Sequence, residues 1–134
     1  MLSDNGLAEY AYTLLLNEDY PSWLYEVNMG ATTIWERWNS VLPDGSISDT
    51  GMNSLNHYAY GSIVEWMYRY MCGINPSEEN AGFKEFIIKP YVDNRFEYAN
   101  AEYYSVYGLI KSGWKKVKNG WKFNITVPFD AKAL

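Results

Sequence analysis

One carboxylate in the sequence lies close to two tryptophans. Glu36 lies between Trp35 and Trp38, and aromatic faces of this kind stack on sugar rings. A carboxylate in such a place can act as the general base that activates water. The same residue has a structural interpretation, because Thr33 and Glu36 have the spacing of a capping box. Pattern alone favours the capping box, in which Glu36 bonds back to the start of its own helix.

His57 is the only histidine, and it stands among aromatic residues in a predicted first helical turn. A lone histidine there is more often a hydrogen-bonded core residue than a ligand. One histidine gives no metal site, and the single cysteine, Cys72, excludes an internal disulfide and a CxxC metal site. We therefore expect neither a metal nor a cofactor. The sequence also lacks a Ser/His/Asp arrangement for nucleophilic catalysis.

Three further carboxylates have simpler interpretations or none. Asp44 stands in a Pro-Asp-Gly run, which is typical of a turn. Glu65 is placed to pair with Arg69 four residues later on one helix face. The pattern assigns no role to Asp49.

The composition excludes several kinds of partner. The 134 residues include 6 Trp, 13 Tyr and 5 Phe, an aromatic share of 18% that suits a carbohydrate surface or a heavy core. The net charge of −5 argues against nucleic acid. No apolar run reaches the roughly 18 residues of a membrane span, so no membrane partner is expected. The first four residues lack the pattern of a signal peptide, and the cellular compartment stays open.

Four helices are predicted to carry the candidate residues. Apolar spacing and capping residues place them at about 7–17, 23–29, 31–38 and 55–71. Glu36 and His57 then each lie in the first turn of a helix. The last helix is aromatic on more than one side, which indicates burial in a larger assembly.

Strands are predicted in the remaining part of the chain. Apolar runs and period-two alternation place them at 83–88, 103–107, 111–118 and 121–127, with a type I′ hairpin turn at Asn119-Gly120. The expected architecture is a small antiparallel β-sandwich. A change in charge supports two domains, 1–75 and 76–134, because the first holds two basic and nine acidic side chains and the second nine and seven.

Two long motifs carry a resemblance to a known family. They are Gly30-Ala31-Thr32-Thr33-Ile34-Trp35-Glu36-Arg37-Trp38 and Met52-Asn53-Ser54-Leu55-Asn56-His57-Tyr58-Ala59-Tyr60-Gly61. With the later run 65–69 and the strand signals around 107–110 and 125–128, the chain resembles the C-terminal part of bacterial α-L-rhamnosidases of glycoside hydrolase family 78. The resemblance covers nearly the whole chain.

The resemblance implies an α+β fold and a site. The N-terminal helices would come from the end of an (α/α)6 barrel and be followed by a small antiparallel β-sandwich. The family hydrolyses terminal α-L-rhamnosyl residues with inversion. Glu36 matches its general base and His57 lines its rhamnose subsite, while Trp35 and Trp38 are candidates for the walls of the site.

The family's general acid and most of its sugar-binding residues lie upstream of these motifs. The sequence therefore predicts a fragment of a longer enzyme, inactive by itself. Its expected partners are α-L-rhamnosides and the missing N-terminal part, and exposed barrel surface would favour self-association.

Two alternatives concern the β-sandwich. It could be a non-catalytic carbohydrate-binding module that uses Trp114 and Trp121, or a structural brace for the barrel. The pattern favours a place in the sheet core for both tryptophans.

Overall fold

Short helices joined by irregular backbone make up the first part of the chain. The computed structural model describes residues 2–48 and 51–134, and it divides into the units Met1–Ile63 and Val64–Leu134. In the first unit a 3₁₀ turn at Ser3–Asn5 precedes α1 (Ala8–Leu15) and α2 (Trp23–Asn28). Both helices predicted in this region are confirmed.

The two helices form for different local reasons. α1 presents Tyr12 and Leu15 to the interior of its unit, where they are 1% and 6% exposed. α2 begins after Ser22, whose Oγ accepts a hydrogen bond from the Tyr25 amide at 2.9 Å. This bond satisfies one of the amides that the first turn of a helix leaves free.

The helix predicted over 31–38 is wrong, and so is the start of the helix predicted over 55–71. Residues 33–36 and 54–57 are not helical, because their backbone groups bond to each other. The Ser54 carbonyl accepts from Glu36 N and the Ile34 carbonyl accepts from His57 N, both at 2.8 Å. Groups engaged in this way cannot take part in a helical ladder.

Helical structure resumes at Ala59 in three consecutive segments of different type. Ala59–Ser62 is a 3₁₀ helix, α3 (Ile63–Trp66) is an α-helix and Met67–Met71 is a π-helix. The predicted single helix ending near residue 71 is therefore replaced by a composite one. Within the described residues, 2–48 and 51–134, no helix is long and apolar enough to cross a membrane.

Six strands in the second unit form two three-stranded sheets. One sheet has the order β1–β2–β6 and the other β3–β4–β5. The strands are β1 (Ile74–Pro76), β2 (Glu85–Ile88), β3 (Tyr98–Ser105), β4 (Gly108–Val117), β5 (Gly120–Thr126) and β6 (Lys132–Ala133). All pairings of these strands are antiparallel except that of β2 with β6, which is parallel. The expectation of a purely antiparallel sandwich is therefore wrong at this pair.

The two sheets share a core, as expected of a sandwich. Ile74 of β1, Phe86 of β2 and Ile110 of β4 are 3%, 0% and 0% exposed and pack into one cluster. Side chains of β4 also reach the end of the preceding helix, because Trp114 Nε1 donates to the Met71 carbonyl at 2.8 Å. The second unit begins within the helical run, at Val64. The family-domain boundary after residue 75 stays a prediction.

The predicted hairpin is confirmed, but its turn differs. Val117 pairs with Gly120, which leaves Lys118 and Asn119 as the two loop residues. A type I′ turn needs positive φ at both central residues. Among the described residues Phe83 is the one non-glycine residue with positive φ, so the type I′ assignment is wrong.

Candidate functional site

Glu36 is held by the backbone of Ser54. Glu36 N donates to the Ser54 carbonyl at 2.8 Å, and Ser54 N donates in return to Glu36 Oε2 at 2.8 Å. The capping box predicted for Glu36 is therefore wrong, since its carboxylate bonds to a segment 18 residues away. The Oε1 atom makes no hydrogen bond to the part of the chain that the structure describes. The half-buried side chain thus has one anchored and one available oxygen.

His57 lies on the segment that pairs with the Glu36 segment. Its amide donates to the Ile34 carbonyl at 2.8 Å, and the Thr33 hydroxyl donates to the Leu55 carbonyl. These contacts place the two predicted site residues on adjacent stretches of backbone. Neither Glu36 nor His57 lies in the first turn of a helix, so that expectation is wrong. The structure brings the two residues close together through this backbone pairing.

The ring of His57 is oriented by its own loop. Nδ1 accepts from Ala59 N at 3.3 Å, and the ring stacks on Tyr58 with 5.1 Å between centroids. In a neutral imidazole whose Nδ1 accepts, the proton lies on Nε2. The half-buried ring can then donate from Nε2 to a hydroxyl group.

Trp38 belongs to an aromatic group with Tyr60 and Trp23. It stacks on Tyr60 with 3.9 Å between centroids and meets Trp23 edge-on at 5.2 Å. Trp23 Nε1 donates to the Tyr60 carbonyl at 2.9 Å, which fixes the group. Sequence reasoning missed Tyr60 and Trp23, because their contacts join distant parts of the unit.

Trp35 is 3% exposed and packs inside the unit. Its predicted contact with substrate stays a prediction, and its burial gives that contact no support. The Trp35 amide donates to Glu26 Oε2 at 3.2 Å. Glu26, which sequence reasoning also missed, thus touches the residue that precedes Glu36.

Glu26 is a buried carboxyl group, 1% exposed, on α2. Burial raises the pKa of its side chain above the ordinary value, and the hydrogen bond from Trp35 opposes the rise. Its Oε1 atom has no hydrogen-bond partner among the described residues. No sequence pattern signalled it, since a glutamate on a short helix is normally exposed.

The other carboxylates behave as structural residues. Asp44 Oδ1 accepts from Ser46 N at 2.9 Å and from its Oγ at 2.6 Å, which confirms the turn and lowers the pKa of Asp44. Arg69 and Glu65 form the predicted pair at 3.1 Å. Asp49 lies outside the described residues.

Among residues 2–48 and 51–134, no three His, Cys, Asp or Glu side chains gather as metal ligands would.

The tryptophans of the sandwich pack on each other. Trp114 is 1% exposed and meets Trp121 edge-on with 5.0 Å between centroids. Trp114 therefore belongs to the sheet core, as the pattern favoured, and offers no surface for stacking on a carbohydrate.

Two family models account for this arrangement of helices followed by a sandwich. Residues 1–71 match the bacterial alpha-L-rhamnosidase 6 hairpin glycosidase domain, and residues 73–134 match the bacterial alpha-L-rhamnosidase C-terminal domain. The chain therefore belongs to the bacterial α-L-rhamnosidase family. The resemblance seen in the sequence and the α+β fold are both confirmed.

Individual relatives agree with the family. The chain is 41% identical over 133 residues to an α-L-rhamnosidase of Alteromonas sp. (strain LOR) and 40% identical over 128 residues to one of Streptomyces avermitilis. It covers 14% and 12% of those proteins, while 99% and 96% of the chain is matched.

Solved structures show the same fold. A crystal structure of the Streptomyces avermitilis α-L-rhamnosidase complexed with L-rhamnose matches with a TM-score of 0.91 at 39% identity, over 98% of this chain and 13% of that one. The native enzyme from Aspergillus terreus matches with a TM-score of 0.90 at 35% identity, over 98% and 15%.

Proposed function

We propose that this chain is the C-terminal part of an inverting α-L-rhamnosidase, which hydrolyses terminal α-L-rhamnosyl residues of glycosides or polysaccharides. Membership of the family supports the reaction class, and the relatives named above are α-L-rhamnosidases. The observation that carries the proposal is the anchoring of Glu36 by Ser54, on a segment paired with that of His57.

Glu36 acts as the general base in this proposal. The Ser54 amide holds Oε2, and the available Oε1 takes a proton from water as the water oxygen forms its bond to the anomeric carbon. The glycosidic bond breaks on the opposite face, where a general acid protonates the leaving oxygen. In inverting enzymes the two carboxyl groups stand roughly 6.5–9.5 Å apart to leave room for the water. The acid is supplied by the part of the enzyme outside this chain.

His57 and Trp38 contribute to the sugar site. The Nε2–H group of His57 donates to a rhamnose hydroxyl, since Nδ1 is already engaged by Ala59. The stack of Trp38 on Tyr60 offers a flat apolar wall for a sugar face. Besides the α-L-rhamnoside, the partner of this chain is the remainder of the same enzyme.

Replacing Glu36 by Gln in the complete enzyme tests the base. The change keeps size and hydrogen bonding, and we expect kcat on a nitrophenyl α-L-rhamnoside to fall by about 10²-fold or more. Glu18→Gln, at an exposed loop position, is the matched control and should leave kcat unchanged. A folded Glu36→Gln enzyme with nearly full kcat would show that the carboxylate serves only to join two segments.

The stereochemistry tests the inverting mechanism independently. Proton NMR of the complete enzyme acting on an α-L-rhamnoside should show β-L-rhamnose as the first product, before mutarotation mixes the anomers. Early release of the α anomer would rule out inversion while leaving the family unchanged.

A further inference from the structure

The carboxyl group of Glu26 is a buried polar group that the proposed mechanism leaves unused. It projects from α2 and is 1% exposed. One oxygen accepts a single backbone amide, that of Trp35 at 3.2 Å, and the other has no partner among the described residues. A half-satisfied carboxyl group in the interior costs stability, whereas an apolar side chain of the same size would not.

Its single hydrogen bond lies one residue from Glu36. Trp35 is fixed twice, by the burial of its indole ring and by the bond from its amide to Glu26. Glu36, the next residue, is fixed by both bonds to Ser54. The backbone that carries Glu36 is thus tied to α2 on one side and to residues 54–57 on the other.

The geometry points to Glu26 as a positioning residue for Glu36: by holding the Trp35 amide, it sets the direction in which the Glu36 side chain leaves the backbone. This inference rests on the proposed function of Glu36 as the base. Positioning matters to this degree because a displacement of about 1 Å at a reacting group can cost about 10²-fold in rate. At 1% exposed, Glu26 acts in this inference through the Trp35 amide and not by contact with the substrate.

Three substitutions in the complete enzyme separate the acceptor oxygen from the carboxyl group and from the space that the side chain fills. Glu26→Gln keeps an acceptor oxygen at the same reach. Glu26→Asp keeps the carboxyl group but is one methylene shorter, so its oxygens are expected to lie too far from Trp35 N for a hydrogen bond. Glu26→Met fills the space with no acceptor of comparable strength.

We expect kcat to depend on whether residue 26 offers an acceptor oxygen to the Trp35 amide. Glu26→Gln should stay within about threefold of the native enzyme, while Asp and Met should each lower kcat by about tenfold or more with KM little changed. Tyr25→Phe is the matched control, since it removes the hydrogen bond from the same helix to the Val41 carbonyl and should leave kcat unchanged.

The order of the variants decides between positioning and stability alone. A purely structural role predicts that kcat falls in step with thermal stability across all four variants. Glu26→Gln and Tyr25→Phe would then follow the same relationship as the other two. If the Met enzyme does not fold, the Gln and Asp pair still tests the inference. Equal kcat for Gln and Asp would overturn it, as would an unchanged kcat in a folded Met enzyme.

Failure of this inference can be told from failure of the proposed function. A flat Glu26 series beside an inactive Glu36→Gln enzyme overturns the positioning role only. Full activity of Glu36→Gln overturns the base itself and the positioning role with it.

Discussion

Glu36 and Ser54 are joined by two reciprocal hydrogen bonds of 2.8 Å, and both atoms that Ser54 contributes belong to its backbone. The Ser54 hydroxyl instead bonds locally, to the backbone of Asn56. The orientation of the proposed base therefore depends on the position of the residue 54 amide and not on the identity of its side chain.

Two substitutions at Ser54 should consequently have unequal effects. Ser54→Ala keeps the amide, and we expect kcat of the complete enzyme within about threefold of native. Ser54→Pro removes the N–H that holds Glu36 Oε2, and we expect kcat to fall by about tenfold or more. Steady-state kinetics on folded variants, checked by circular dichroism, gives the comparison. Equal kcat for the two variants would contradict the role of the amide.

The local elements were predictable from the sequence, and the pairing within the site was not. α1 and α2 follow from apolar spacing and from the Ser22 cap, and the β4–β5 hairpin follows from alternation. Residues 31–38 have a helical pattern as well. They are not helical because the Ile34 carbonyl and the Glu36 amide bond to residues 57 and 54, a long-range choice that no local pattern records.

The candidate site, too, was only partly predictable from the sequence. Glu36 and His57 were identified through motifs, yet the reason they come together is a backbone pairing seen only in the structure. Glu26 escaped notice because burial of a carboxyl group runs against the usual preference of glutamate for the surface. The hydrogen bond that it accepts from the Trp35 amide is seen only in the structure.

Burial of Glu26 should make the stability of the chain depend on pH. Its pKa is raised in the folded state, so the unfolded chain releases this proton at lower pH than the folded chain does. The contribution of Glu26 to stability is therefore lost as pH rises from its ordinary pKa through the raised one. We expect Glu26→Gln to gain stability relative to the native chain on going from pH 4 to pH 7, measured by urea unfolding at both values.

The native chain and Glu18→Gln provide the references for this experiment, since Glu18 is exposed. A stability difference between Glu26→Gln and native that is the same at both pH values would contradict a raised pKa.

Gly73 should tolerate no side chain. Its φ is +77°, and an added Cβ would lie 2.2 Å from Pro90 N and 2.4 Å from the Lys89 carbonyl carbon, both backbone atoms. We expect Gly73→Ala to lower the free energy of unfolding by about 2 kcal/mol or more. Gly61→Ala is the matched control. It lies in a 3₁₀ segment with nothing within 4 Å of the new carbon among the described residues, and should change stability by no more than about 1 kcal/mol. Denaturant unfolding of both variants gives the comparison, and equal effects would contradict the close approach at Gly73.

The isolated chain should self-associate through α1. Leu7, the N-cap residue of α1, and Tyr10 and Leu14 within it are 41%, 63% and 56% exposed, and they form an apolar stripe on the side of the helix away from the buried Tyr12 and Leu15. Such a stripe loses contact with water when two copies meet. We expect sedimentation velocity to show species heavier than the 15.5 kDa monomer as concentration rises.

Leu14→Glu should shift this equilibrium towards the monomer by placing a charge on the stripe. Thr13→Glu adds the same charge to an exposed position of the same helix off the stripe, and should leave association nearly unchanged. If both variants dissociate equally, net charge and not the stripe controls association. A native chain that stays at 15.5 kDa at every concentration would show that α1 does not need a partner surface in solution. The contrast between the two glutamates therefore separates a specific apolar contact from general repulsion between acidic chains.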